Sequence, residues 1–200
     1  MGESVGPLAE RVCVIACGAL AREILAVTAQ AGLDHVDLRC LPAILHNHPE
    51  RIVPEVAEAV RKARADGYGH VLVGYGDCGT GGGLERLAAR EGFDLLPGAH
   101  CYAFFAGTGR FAAWDECDAF YLTDFLARQF DAFVVRPLKL DRHPELIDMM
   151  FAHYGRVVHL EQVADAETRE AAARAAERLH LPLERRTTGY GDLAVALERL

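Results

Sequence analysis

The sequence predicts an α/β fold: a single domain with a mostly parallel sheet and helices on both faces, in the three-layer, Rossmann-like manner. Three observations predict it. Short apolar runs rich in β-branched residues alternate with segments of helical spacing along most of the 200 residues. Several of the runs are apolar nearly throughout, as strands covered on both faces are. The chain is 51% hydrophobic and 25% charged, an ordinary globular profile at a length that buries a sizeable core.

The elements follow in order. "RVCVIAC" reads as a buried first strand and "GALAREILAVTAQAG" as a helix, with apolar spacing at Leu20, Ile24, Leu25 and Val27 and a stop at Gly32. "VDLRCLP" is a second strand, ended by Pro42. After the turn "HNHP", the segment "ERIVPEVAEAVRKARADG" is a helix, with Pro54 in its first turn or marking a late start. "HVLVGYG" and "GGLERLAAREG" form a third strand and helix, and "FDLLP" a short fourth strand. The aromatic-rich stretch "HCYAFFAGTGRFAAWDECDAFYLTDFLARQFDAFVVRPL" reads as helical pieces, an insertion near residues 100–150. "HPELIDMMFAHYG" is then a helix, "RVVHLEQ" a strand, and "DAETREAAARAAERLHL" an exposed helix. "PLERRTTGYG" and "DLAVALERL" close the chain as strand and helix, so residues 1–200 are expected to form one domain.

A formal charge of −8 argues against a nucleic-acid partner or an anionic membrane surface. No apolar run reaches the length of a membrane helix. The start, "MGESVGPLAERVC", lacks the features of a signal peptide, and glycine at position 6 breaks the myristoylation pattern. The expected location is the cytoplasm, where the six cysteines stay reduced. No C-x-x-C occurs. A homo-oligomer is compatible with all of this.

In a parallel sheet with right-handed crossovers, every strand's C-terminal end lies on one edge, and ligands bind there. Reactive side chains fall at those ends. The first strand ends at Cys17, and the second ends near Cys40, with His46 and His48 in its turn. The third ends at Asp77 and Cys78, and the fourth leads to His100 and Cys101. Glycine follows Cys17 and Cys78 and a helix comes next, so a helix start is expected to favour their thiolates. Soft thiolates with imidazole suit zinc, or iron or cobalt, rather than magnesium or calcium. The expected metal ligands are therefore Cys17, Cys78, His100, Cys101 and His46. Cys13 reads as core and Cys117 as incidental, while Cys40 fits either packing or a four-cysteine iron–sulfur variant. His70, His143, His153, His159 and His180 read as structural or surface residues.

The loop "GYGDCGTGGG" gathers backbone N–H donors, so Gly76, Gly79 and Thr80 are candidates for holding an anionic group. It lacks the lysine of a phosphate-binding P-loop, and its G-x-G-x-x-G match falls in the third strand unit without an acidic partner in place. Asp77 and Glu116 are the candidate acid–base carboxylates. Glu116 precedes "FYLTDFL" and Asp124 lies within it, and either would alternatively orient a ligand histidine. A metal-free thiol enzyme, with Cys78 as nucleophile and His100 as base, is the competing chemistry.

The stretches "ACGALAREI", "LPAILHNHPERI", "YGDCGTGGGLE", "GAHCYAFFAG", "FYLTDFL", "LDRHPEL" and "RRTTGYGDL" resemble the prokaryotic family called domain of unknown function 1638, in order and over nearly the whole chain. Cys17, His46, Cys78, His100 and Cys101 fall inside the matching motifs, and Cys117 stands where the resemblance implies a small residue. The resemblance implies an association with corrinoid-dependent methyltransferases and folate-linked one-carbon enzymes. A Cys/His zinc site fits that chemistry, since zinc holds a thiol as a nucleophilic thiolate for methyl transfer. The expected partners are a small molecule or a corrinoid protein, with corrinoid reached through the partner because the motif D-x-H-x-x-G is absent. A non-catalytic carrier or chaperone for a metal or a corrinoid protein is the alternative role.

Overall fold

The computed structural model describes residues 10–96 and 98–200. The reading of residues 1–9 and the end of the "FDLLP" strand at Pro97 lie outside the described residues. The class is α/β with parallel sheets, as expected, but the strands divide between two sheets. The chain also divides into two compact units. One runs to Phe104 and takes in Asp192–Leu200, and the other is Phe105–Gly191. The stretch near residues 100–150 is therefore more than a helical insertion, because it supplies a strand of the second sheet.

The first unit is built on β1 (Val12–Cys17), β2 (Val36–Leu41), β3 (His70–Gly74) and the short β4 (Asp94–Leu95), all parallel in the order β2-β1-β3-β4. Residues 12–16 of β1 are buried, which is why its sequence is apolar without alternation. α1 (Ala21–Ala31) ends on Gly32 in the left-handed conformation, as its sequence stop implies. α2 (Pro49–Ala65) starts earlier than expected: Pro49 takes the first turn, so Pro54 falls inside the helix. α3 (Gly83–Glu91) precedes β4. Ile15, Ile52, Val56, Val73 and Leu84 lie in one buried cluster of strand and helix faces.

The second unit holds β5 (Ala119–Thr123), β6 (Arg156–Glu161) and β7 (Leu183–Thr187), parallel in the order β5-β6-β7. β5 lies inside the aromatic-rich stretch; five residues beside aromatic helices carry too little periodicity to separate strand from helix. α4 (Cys101–Ala106) begins in the first unit and ends in the second, whose helices are then α5 (Thr108–Trp114), α6 (Asp124–Arg128) and α7 (Ile147–Met150). α8 (Ala166–Arg178) was expected to be exposed, yet Ala172, Ala175 and Ala176 are buried. Alanine lets a helix pack closely without a conspicuous apolar signature. Asp165 caps α8 by accepting from the Thr168 amide at 2.8 Å. α9 (Gly191–Leu197) closes the chain. Among the described residues no helix is long and apolar enough to cross a membrane.

Candidate functional site

The order β2-β1-β3-β4 places the point where the strand order reverses between β1 and β3. Crevices beyond the carboxyl ends of such a pair are where open α/β sheets bind ligands. Ala16 pairs with Gly74 across these strands, so Cys17 and Tyr75 leave the sheet side by side. The chain then forms the loop Gly76–Gly82. Two backbone hydrogen bonds tie it to the loop after β4: the Asp77 amide donates to Gly98 at 3.1 Å and the Cys78 amide to Ala99 at 2.8 Å. The stitching holds His100 and Cys101 next to Cys78. Gly76 is required by this approach, since a Cβ there would stand 2.7 Å from both the Gly98 oxygen and the His100 nitrogen. Close loop packing therefore accounts for Gly76 without a bound cofactor.

Cys78 has φ 46, a left-handed conformation that costs a residue with a Cβ about 1–2 kcal/mol. Such strain persists where the surroundings enforce it, often at functional positions. Asp77 holds the loop: its Oδ1 accepts from the Thr80 hydroxyl at 2.9 Å and the Gly82 amide at 2.6 Å, and its Oδ2 from the Gly81 amide at 3.3 Å. These bonds, that from Gly82 first, keep its carboxyl below the usual range. Asp77 and Thr80, expected as catalyst and cofactor contact, thus both work on loop geometry. Gly79, at φ +84, supplies the same turn.

The thiols converge. Cys17 acts on Cys78 electrostatically, and both act on Cys101. Cys40 reaches Cys17 as well. Tyr75, which the sequence reading passed over, lies among them. It is only 2% exposed, and its hydroxyl has the Cys17 thiol as its hydrogen-bonding neighbour. Burial raises its pKa, and the nearby thiols, Cys17 first, raise it further. The signal in the sequence was a phenol at the tip of a buried strand, where packing needs no polar group.

The expected thiolate stabilisation does not hold. α3 begins only at Gly83, so Cys78 does not sit at its first turn. Burial pushes the Cys78 thiol up to about 11 and also raises those of Cys17 and Cys101. Loss of water outweighs any dipole, and the thiols are protonated in the metal-free chain. His46 is exposed at the surface, though desolvation by its neighbours lowers its pKa; burial lowers the half-buried His100, and His46 lowers it further. Both imidazoles thus favour the neutral form that ligates metals. His46 lies in the turn Ala43–Asn47, and His48 beyond it is exposed beside Glu50. Among the described residues no group of three or more His, Cys, Asp or Glu side chains is arranged to hold a metal ion as it stands. Cys13 is fully buried core and Cys117 is exposed, both as expected.

Residues 40–197 match the model of a family described as Protein of unknown function (DUF1638). The chain belongs to the DUF1638 family. The DUF1638 match contains His46, Asp77, Cys78, His100, Cys101 and Glu116, whereas Cys17 and all of β1 precede it. No curated protein and no solved structure matches the chain significantly.

Glu116 belongs to the second unit and is locked in an ion-pair network. The Arg186 guanidinium donates to both its oxygens at 2.8 Å, the Tyr121 hydroxyl donates to Oε2 at 2.5 Å, and Arg156 approaches at 3.1 Å. The Arg186 fork holds its carboxyl down at about 2. Glu116 therefore lacks both the proton and the free lone pairs that general acid–base work needs. A depressed carboxyl contributes stability above its unfolded pKa and loses it as pH falls toward the folded value. Urea unfolding at stepped pH should show the wild type losing roughly 1–2 kcal/mol between about pH 5 and 2 that Glu116→Gln does not lose. Parallel pH profiles for the two proteins would contradict this role.

Proposed function

We propose that the crevice at the ends of β1 and β3 binds a soft metal ion, zinc before iron or cobalt, through Cys17, Cys78 and Cys101, with His100 or His46 completing the shell. The gathering of Cys17 and Cys78 around the buried Tyr75 hydroxyl carries this reading. A neutral thiol is a weak partner for a buried phenol, and a thiolate held by a bound metal would be a stronger one. The strained backbone at Cys78 adds support. Binding requires the cysteine side chains to turn toward a common centre and release their protons, a coupling general to thiolate sites. Tyr75 would then donate a hydrogen bond to a coordinated sulfur and hold its orientation. Asp77, Thr80 and Gly82 keep the Cys78 loop in place.

Zinc supplies Lewis acidity there, including the ability to hold an incoming thiol as thiolate. The chain's place is in, or beside, corrinoid- or folate-linked methyl transfer in the cytoplasm, a reading that rests on the family resemblance. A small-molecule thiol or a corrinoid protein is the partner. Metal-free nucleophilic chemistry at Cys78 has weaker support, because burial makes its thiol a poorer source of thiolate.

Elemental analysis of protein purified without an affinity tag tests the site. The expected result is about one equivalent of metal, lost in Cys17→Ser and retained in Cys117→Ser. Protein that arrives empty and takes up neither zinc, iron nor cobalt would overturn the reading. Methyl-transfer assays with a corrinoid protein then separate an enzyme from a metal-delivering accessory.

A further inference from the structure

We propose that the second unit carries a binding cleft for a phosphate-bearing small molecule. The cleft lies between the chain from α6 through the π-helical turn Asp131–Val135 and the facing side of α8, and encloses about 430 Å³. Pockets for small organic ligands begin at roughly 300 Å³. Four guanidinium groups line it, those of Arg128, Arg136, Arg174 and Arg178, against one carboxylate, Asp131. In a chain of net charge −8, such a cationic concentration works against the overall field.

The existing pairings leave part of that charge available. Arg178 reaches Asp131 at 3.4 Å, and Arg174 reaches Glu170 at 3.7 Å, both as exposed contacts of small energetic worth. Arg136 has no ion-pair partner among the described residues. Arg128 donates to the Thr168 hydroxyl at 3.2 Å, which fixes its direction.

Guanidinium forks match phosphate oxygens two at a time. The cleft is not uniformly polar: Ala127, Phe130 and Ala175 are buried beneath the arginines. Apolar lining with a few convergent charged groups suits an organic body bearing an anionic end. The wall at Asp131–Val135 is a π-helical segment, a form with poorer hydrogen bonding that recurs at functional sites.

Isothermal titration of the full chain with pyrophosphate and with ADP, at low and moderate salt, tests the cleft. Wild type should bind both saturably, ADP more tightly than pyrophosphate, and both more weakly as salt rises. The double variant Arg136→Ala/Arg174→Ala removes two exposed side chains and should weaken binding at least about tenfold with an unchanged urea midpoint. Arg90→Ala, in the first unit, should leave binding as it was. The proposal is overturned if millimolar pyrophosphate and ADP give no saturable binding, if Arg90→Ala weakens binding as much as the double variant, or if citrate binds more tightly than either probe.

Discussion

Asp124→Ala is expected to destabilise the second unit by about 3–5 kcal/mol, read as a drop in urea unfolding free energy at constant m. Asp124 follows β5 directly, is 1% exposed, and serves three donors at once. Its Oδ1 lies 2.8 Å from the His159 Nε2, while its Oδ2 accepts from the Gln162 amide at 3.2 Å and the Val163 amide at 2.9 Å. Gln162 returns the contact, its Oε1 accepting from the Asp124 amide at 2.7 Å. The network joins the end of β5 to the end of β6. Removing the carboxylate strands two backbone amides and a fully buried imidazole whose Nδ1 already has no partner. Asp124→Asn keeps the shape and one oxygen, so it should cost clearly less. Equal losses in the two variants, or a loss under about 1 kcal/mol in the alanine variant, would mean that water replaces the carboxylate at little cost.

Cys78→Gly is expected to abolish metal uptake while leaving the protein about 1 kcal/mol more stable than Cys78→Ala. Both substitutions delete the sulfur, so both should fall from about one equivalent of metal to a background level. They differ in backbone. At φ 46 alanine keeps the steric strain of the native residue, whereas glycine relieves it. A position where glycine is more stable than alanine is one whose native residue holds conformational strain, as functional positions do. Metal retained in either variant would remove Cys78 from the ligand set. Equal stability in the two would show that the loop relaxes around the position without strain.

The thiol edge was legible because its logic is periodic. Apolar runs separated by helices make parallel strands, parallel strands share an edge, and Cys17, Cys78 and Cys101 each follow one of those strands. The chemistry of the edge was less legible. Tyr75 reads as one more residue of a buried strand, and only the packing around its hydroxyl makes it stand out. Helix dipoles read from sequence promised thiolates, but the start of α3 and the depth of burial reversed the direction. Glu116 looked free to exchange protons because Arg186, which binds it, is 70 residues away in sequence. The arginines of the second-unit cleft come from two helical segments, and no local pattern joins them.

The sequence by itself determined the α/β class, most of the parallel strands, the helix stop at Gly32 and the set of thiols that gather at one sheet edge. These follow from hydrophobic period and turn chemistry, which act between near neighbours. Tertiary structure decided the division into two sheets, the burial of the alanine face of α8, the strained turn at Cys78, and the partners of every buried charge. Those depend on desolvation and on contacts between residues distant in the chain, which no local pattern of residue types encodes.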